Sequence, residues 1–138
     1  MKVLTLGLLF WLTFVLQSRP NFSGTWTLET PSNADPRVVV VITQSDTTFT
    51  IKTPDGRMLV WQLDGSETTM HIQEPDGSHE LRLRVRFDGP RLLAEQRTAT
   101  TTIIQTVSLS NNETKLTVDT LLQGPQGEQR SSQIFKKS

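Results

Sequence analysis

The chain has 138 residues, enough for one domain of ordinary size. Lys and Arg together number 14, as do Asp and Glu, so the chain has no net charge with which to attract nucleic acid or an anionic membrane. It contains no cysteine, which excludes a disulfide framework and lipid attachment through a cysteine. The domain must therefore be held together by packing alone.

Residues 1–18 have the pattern of an export signal. Lys2 precedes an apolar stretch, residues 3–16, that is shorter than the roughly 20 residues of a membrane-spanning helix. Ser18 would be the small residue at the cleavage site, which leaves residues 19–138 as the mature domain. We therefore expect a bacterial secreted or periplasmic protein with no stable membrane insertion after signal removal. An N-terminal anchor that is not cleaved is the alternative.

Asp-Gly pairs recur through the middle of the chain, between short runs rich in β-branched, aromatic and Leu residues. They are Asp55-Gly56, Asp64-Gly65, Asp76-Gly77 and Asp88-Gly89. Asp-Gly favours the positive φ of tight hairpin turns, and alternating apolar residues on both sides strengthen that signal. The repeat predicts an antiparallel meander of about ten strands, with no helix after the signal.

Turn chemistry also predicts which residues pair across the strands. A three-residue loop within 53–56 sets Phe49 opposite Trp61 and Ile51 opposite Leu59. The other turns predict the pairs Ile42–Phe49, Leu59–Met70, Trp61–Thr68, Met70–Leu83, Val85–Leu92, Val107–Val118 and Leu109–Leu116. All turns up to residue 97 place the same residues on one face of the sheet: Val38, Val40, Ile42, Phe49, Ile51, Leu59, Trp61, Leu63, Met70, Ile72, Leu81, Leu83, Val85, Phe87, Leu92 and Ala94.

The prediction is less complete after residue 97. Residues 124–127 (Gly-Pro-Gln-Gly) form the last predicted turn, and either Ile134 or Phe135 could point inward. A long meander with one apolar face buries that face most simply by closing on itself, which also removes its edges. We therefore predict an all-β fold in which an up-and-down meander closes into a barrel.

Several motifs resemble those of a known group of proteins. Residues 21–26 read Asn-Phe-Ser-Gly-Thr-Trp, and this Gly-x-Trp resembles the opening motif of the calycin superfamily, the lipocalins and their relatives. A closer likeness is to small exported lipocalin-like proteins common in soil bacteria such as Acidobacteria. The further matches are Trp61-Gln62-Leu63-Asp64-Gly65, residues 87–93, residues 108–110 with 116–118, and Phe135-Lys136-Lys137.

The resemblance implies a lipocalin-like barrel in which Gly24 and Trp26 have structural roles, with Trp26 packed across the closed end. Val107 and Asn112-Glu113 depart from the pattern of these proteins, without threatening the fold. The resemblance only hints at ligand binding, because most of these proteins have no established activity.

Candidate chemistry is sparse in this sequence. His71 and His79 fall on opposite faces of the predicted sheet and cannot share a metal ion. No nucleophile, base and orienting group are predicted to converge as a hydrolase requires. We expect no catalytic residue, no metal, no cofactor and no enzymatic activity.

Arg82, Arg84 and Arg86 alternate with apolar residues along one strand. As a stripe they could bind a polyanion, but the predicted register sets Glu95 opposite Arg82 and Glu67 opposite Arg86. Opposed charges on neighbouring strands are typical of an ordinary solvated face. We therefore expect these arginines to face solvent.

The candidate ligand-binding residues come from the inward face. Trp61 and Met70 share the apolar parity, while Gln96 and Gln105 are polar exceptions on it, as are Thr68 and Thr120. An inward Gln must find hydrogen-bond partners, which a lumen holding water or a ligand headgroup would supply. We therefore predict that Trp61, Met70, Gln96 and Gln105 border a lumen that binds a small apolar or amphipathic molecule.

Two other functions compete with this prediction. A barrel with a fully packed interior could contact another protein or a cell-envelope polymer through its rim loops. An enzyme on a calycin scaffold is the third alternative.

Overall fold

The computed structural model describes residues 19–30, 38–75 and 77–138, apart from the side chains of Ile72 and Glu74. The predicted signal segment, residues 1–18, lies outside the described residues. In the described part of the chain, no helix is long and apolar enough to cross a membrane.

Ten antiparallel strands form one sheet, which confirms the predicted fold class. They are β1 (Gly24–Thr30), β2 (Val39–Gln44), β3 (Thr48–Lys52), β4 (Met58–Gln62), β5 (Glu67–Glu74), β6 (Gly77–Asp88), β7 (Arg91–Arg97), β8 (Thr102–Leu109), β9 (Lys115–Gly124) and β10 (Gly127–Lys137). The spatial order is β4-β3-β2-β1-β10-β9-β8-β7-β6-β5. Because β1 pairs with β10, the meander curls into a lipocalin-like barrel, which is nearly closed.

Alternation of side chains along each strand separates the core from solvent. In β6, Leu83 and Val85 are buried while Arg82, Arg84 and Arg86 are exposed. The three arginines therefore face solvent, as predicted. Among the described residues, the core contains thirteen buried apolar side chains: Phe22, Trp26, Ile42, Phe49, Trp61, Leu63, Leu83, Val85, Leu92, Ala94, Val107, Leu116 and Phe135.

The two ends of the barrel differ in packing. Phe22 precedes β1 and is completely buried; its ring packs edge-on against Phe49 at 5.9 Å and is stacked with Phe87 at 6.4 Å between centroids. Because the strands alternate in direction, the loops before β3, β5, β7 and β9 lie at this closed end. The loops before β4, β6, β8 and β10 lie at the opposite end.

The predicted register is correct in two hairpins. Phe49 pairs with Trp61 and Ile51 with Leu59 across the loop between β3 and β4. The pairs Leu109–Leu116 and Val107–Val118 also form as predicted.

In three other hairpins the observed register differs from the predicted register by two residues. The predicted pairs were therefore wrong, but the predicted inward and outward faces of the strands were right. The observed pairs are Ile42–Ile51, Met70–Leu81 and Phe87–Leu92, with Ile72 opposite His79. In two of them a proline explains the displacement. Pro75 and Pro90 have no N–H to donate to the strand ladder. Each proline therefore lies in the turn, and the centre of the turn moves by one residue.

The displacement also changes the predicted charge pairs. Glu95 pairs with Arg84 rather than Arg82, and Glu67 also pairs with Arg84 rather than Arg86. Arg82 lies opposite Arg97, and its Nε is 2.9 Å from Glu80 Oε1 on its own strand. Opposite charges still share one exposed face, because a two-residue shift preserves parity.

The predicted pairing of Leu59 with Met70 and of Trp61 with Thr68 is wrong. β4 and β5 are the two ends of the sheet and form no ladder with each other. The intervening segment instead crosses beneath the closed end, where Leu63 is buried and its N–H donates to Thr47 O at 2.9 Å. The Gly65 N–H donates to Val85 O at 3.1 Å, which directs the chain toward β6 rather than into a hairpin.

Candidate functional site: a lumen with an apolar and an amide wall

The interior of the barrel contains a cavity of about 470 Å³. Strands β2 to β10 contribute its lining, and the buried aromatic cluster lies at one end of it. Toward the other end the lining residues Leu59 and Met70 are exposed, whereas Phe49 and Phe135 are buried. The cavity is therefore closed at the Phe22 end and open at the opposite end.

One wall of the cavity is apolar. Trp61 is 7% exposed, and its ring stacks on Phe49 with 5.5 Å between centroids. These two side chains face each other across paired strands because Phe49 and Trp61 are register partners. The other apolar residues of this wall are Val40, Ile42, Ile51, Leu59, Met70, Leu81 and Leu83.

The lining also contains three amide side chains, on strands β7, β8 and β10, beside the apolar residues Val107, Leu116, Val118 and Phe135. Gln96 Nε2 donates a hydrogen bond of 3.4 Å to Gln105 Oε1, a diagonal contact because Gln105 pairs with Ala94. Gln133 also lines the cavity. We call Gln96, Gln105 and Gln133 the amide arc.

All four residues predicted to border the lumen line this one cavity: Trp61, Met70, Gln96 and Gln105. Thr68 and Thr120, the other polar residues expected inside, are not among the lining residues. The four side chains line the cavity in the structure. Their contact with a ligand stays a prediction.

Sequence analysis did not identify Gln133. The choice between Ile134 and Phe135 was left open, and Phe135 is the buried one. Gly124 pairs with Gly127 across the last turn. Counting residue pairs outward from the Gly-Pro-Gln-Gly turn sets Gln133 opposite Val118. This count was the sequence signal that could have placed Gln133 inside the barrel.

β4 and β5 do not pair, which leaves a gap in the wall of the barrel. Leu59 on β4 and Met70 on β5 flank the gap, line the cavity and are exposed. Met58 and Val60, on the outer face of β4, are 61% and 51% exposed. β4 therefore presents apolar side chains on both of its faces beside the gap.

Charged side chains lie outside this cavity. The described residues that line it include none that is acidic or basic, and the described core contains no buried polar or charged residue. Outside the barrel, Arg84 Nη2 lies 3.6 Å from Glu67 Oε2 with both side chains about half exposed. The lumen is consequently a neutral environment.

The histidines do not form a metal site. His71 pairs with Glu80, whereas His79 pairs with Ile72, so the two rings have opposite parity, as predicted. The register predicted from the turn sets His71 opposite Arg82 and His79 opposite Glu74, and the two-residue displacement makes both pairs wrong. Within the described residues no cluster of three or more His, Cys, Asp or Glu could hold a metal ion.

The closed end depends on Gly24 and Trp26. Trp26 is 1% exposed, and Lys137 Nζ lies 5.7 Å from the centre of its ring. Gly24 has φ of +149°, and a Cβ there would approach Lys137 Cε to 3.3 Å and Trp26 Nε1 to 3.5 Å. A side chain at Gly24 would thus meet both an unfavourable backbone conformation and close neighbours.

The fold and the cavity together define a lipocalin-like β-barrel with an open internal lumen. Solved structures of other proteins share this fold, and two of them serve as examples. The zebrafish ileal bile acid-binding protein, solved in complex with cholic acid, is similar with a TM-score of 0.58 and 20% identity over 85% of this chain and 98% of its own. The fluorescent protein UnaG is similar with a TM-score of 0.58 and 15% identity over 85% of this chain and 97% of its own. No protein-family model and no curated protein sequence matches the chain.

Proposed function

We propose that this protein is an exported, non-enzymatic barrel that binds a small apolar or amphipathic molecule in its lumen. The observation that carries the proposal is the open cavity of about 470 Å³. Pockets for small molecules typically have about 300–1,000 Å³ and are mainly apolar with a few polar groups. The lumen matches that description.

The lining favours a ligand with an apolar body and one hydrogen-bonding end. Burial of apolar surface contributes roughly 25 cal/mol per Å², and apolar side chains make up most of the lining residues. The amide arc can donate and accept hydrogen bonds. Trp61, Met70, Gln96 and Gln105 are accordingly the residues we assign to ligand contact, together with Gln133.

Three observations support binding rather than catalysis or rim contacts. A lumen without acidic, basic or imidazole side chains among its described lining offers no general acid or base. The alternative of a packed barrel that acts through its rim loops requires a filled interior, which a cavity of this size does not match. The similar zebrafish protein is a bile acid-binding protein solved with cholic acid, so a barrel of this fold can hold an amphipathic ligand.

The test is binding of the uncharged dye Nile red to the full chain, followed by dye fluorescence. Ile51 lines the cavity, so Ile51→Trp should fill part of the lumen and weaken binding by about tenfold or more. Thr50→Trp places the same ring on the opposite face of the same strand and is the matched control. Equal affinity of the two variants would place the dye outside the lumen and contradict the proposal.

Native mass spectrometry of the protein recovered from its own host is the complementary experiment. A retained small molecule should appear as added mass that Ile51→Trp lowers and Thr50→Trp preserves. The same spectra report the intact mass of the chain. Cleavage after Ser18 and recovery of residues 19–138 from the periplasm or medium is the result expected for export, and a cytoplasmic chain with residues 1–18 retained would contradict it.

A further inference from the structure

The amide arc determines which end groups the lumen can accept. Gln96 and Gln105 share one hydrogen bond, which uses one N–H of Gln96 and the carbonyl oxygen of Gln105. Each glutamine amide offers two N–H donors and a carbonyl with two acceptor positions. Most of the hydrogen-bonding capacity of this pair is therefore left for water or a ligand.

Gln133 increases that capacity. It lies on β10 beside Val118 of β9, while Gln105 lies on β8, so one strand separates the two amides. Within the described residues its side chain forms no hydrogen bond to the protein, although it lines the cavity. The arc therefore presents neutral donors and acceptors over three strands.

The arc has no cation to balance an anion. The arginines of β6 alternate outward, and Arg84 is engaged with Glu67 on the outer surface. Lys115 is paired with Glu29, and Lys137 lies over Trp26 at the closed end. None of these cations lines the cavity in the part of the chain described.

A carboxylate that left water for this lumen would lose hydration without gaining an opposite charge. Desolvation of an ion costs much more free energy than desolvation of a neutral group, and neutral amides offset only part of that cost. A hydroxyl, amide or ketone loses much less hydration and can recover its hydrogen bonds from the glutamines. The balance therefore favours a neutral end group.

We propose that the lumen selects uncharged amphipathic molecules, such as long-chain alcohols, amides or hydroxylated polycyclic compounds, and discriminates against carboxylate anions of the same apolar body. The amide arc is the specificity-determining element. This inference rests on the proposed function, since it names the class of ligand that the same lumen accepts.

The test compares three probes with one apolar chain: dodecanol, dodecanamide and dodecanoate. Each displaces Nile red from the full chain at a pH well above the carboxyl pKa. The expected result is that the alcohol and the amide bind at least about tenfold more tightly than the anion, a ratio that corresponds to about 1.4 kcal/mol. As the pH falls and the acid becomes neutral, its affinity should rise toward that of the alcohol.

Two substitutions test the amide arc itself. Gln105→Arg and Gln133→Arg each place a cation in the lumen and should improve dodecanoate binding relative to dodecanol by about tenfold. Two positions are used because Gln133 is exposed and tolerates a longer side chain even if the more buried Gln105 does not. Gln62→Arg is the matched control, because Gln62 is exposed on β4 and lies outside the cavity.

The possible outcomes separate this inference from the proposed function. Displacement of Nile red by none of the probes would contradict the lumen-binding proposal itself. Binding of dodecanoate as tightly as dodecanol would overturn the neutral-ligand inference and leave lumen binding intact. The inference would likewise be wrong if Gln105→Arg and Gln133→Arg changed the alcohol-to-anion ratio no more than Gln62→Arg.

Discussion

The indole Nε1 of Trp26 donates a hydrogen bond of 3.0 Å to the backbone carbonyl oxygen of Phe22. This bond attaches the first strand to the segment that precedes it, and both side chains are almost completely buried. Phe22 N–H in turn donates to Gln44 Oε1 at 2.9 Å, and Gln44 Nε2 donates to Pro20 O at 2.9 Å. The closed end is thus held by aromatic packing and by a short polar chain between β1 and β2.

Trp26→Ala should destabilise the domain by roughly 3–5 kcal/mol, because it removes a large buried ring and leaves a cavity. Trp26→Phe keeps part of the ring packing but loses the bond to Phe22 O and leaves a smaller cavity, so it should cost less than Trp26→Ala. Urea denaturation monitored by circular dichroism measures both changes. A loss below about 1 kcal/mol for Trp26→Ala would show that this ring is not structural.

Replacement of Arg82, Arg84 and Arg86 by Gln should leave the fold intact. Arg82 and Arg84 form exposed ion pairs, with Glu80 and Glu67, and such pairs contribute about 0–1 kcal/mol each. The triple variant, compared with the wild type in urea denaturation, should lose no more than about 1 kcal/mol per pair. A loss of several kcal/mol would mean that this face is buried.

Asp64 should titrate below the ordinary carboxyl range. The Ser66 hydroxyl donates to Asp64 Oδ1 at 2.6 Å and the Ser66 N–H at 2.9 Å, which together lower the pKa of Asp64. Because the folded-state pKa is the lower one, the associated stability is present above the ordinary carboxyl pKa of about 4 and is lost as the pH falls through the lowered value.

Ser66→Ala should raise the pKa of Asp64 toward its ordinary value, measured by carboxyl NMR titration. Ser78→Ala is the control, because Ser78 is equally exposed and distant in sequence from Asp64. The assignment of the loop hydrogen bonds would be wrong if Ser66→Ala left the Asp64 titration unchanged.

The gap between β4 and β5 should be visible in hydrogen exchange. β4 has a ladder with β3 alone, so about every second amide of β4 lacks a strand partner. Those amides should exchange much faster than the amides of β9, which pairs on both sides. Uniform protection across Met58–Gln62 would indicate that the barrel is closed at this position.

The sequence predicted the face of each residue better than its partner. A turn misplaced by one residue changes every pair in a hairpin, yet it keeps the inward and outward sets. That is why Trp61, Met70, Gln96 and Gln105 were found to share one cavity although Met70 pairs with Leu81 rather than Leu83.

Local turn signals in the sequence could not predict the gap between β4 and β5. Asp64-Gly65 has the composition of a hairpin, but the buried Leu63 and the Gly65–Val85 hydrogen bond are long-range contacts that override it. Phe22 was likewise noted only as part of a motif, since its burial depends on Phe49 and Phe87, which are distant in sequence. The volume of the lumen could not be predicted either, because it depends on barrel curvature rather than on residue parity.

The pairing of β1 with β10 has a consequence for how the chain folds. Every other ladder joins strands that are consecutive in sequence, whereas Trp26 pairs with Lys137 and the Ser138 N–H donates to Thr25 O. Closure of the longest loop carries the largest entropic cost and comes last among contacts of similar strength. A growing chain can therefore form its hairpins early, but it cannot complete the barrel until β10 has been synthesised.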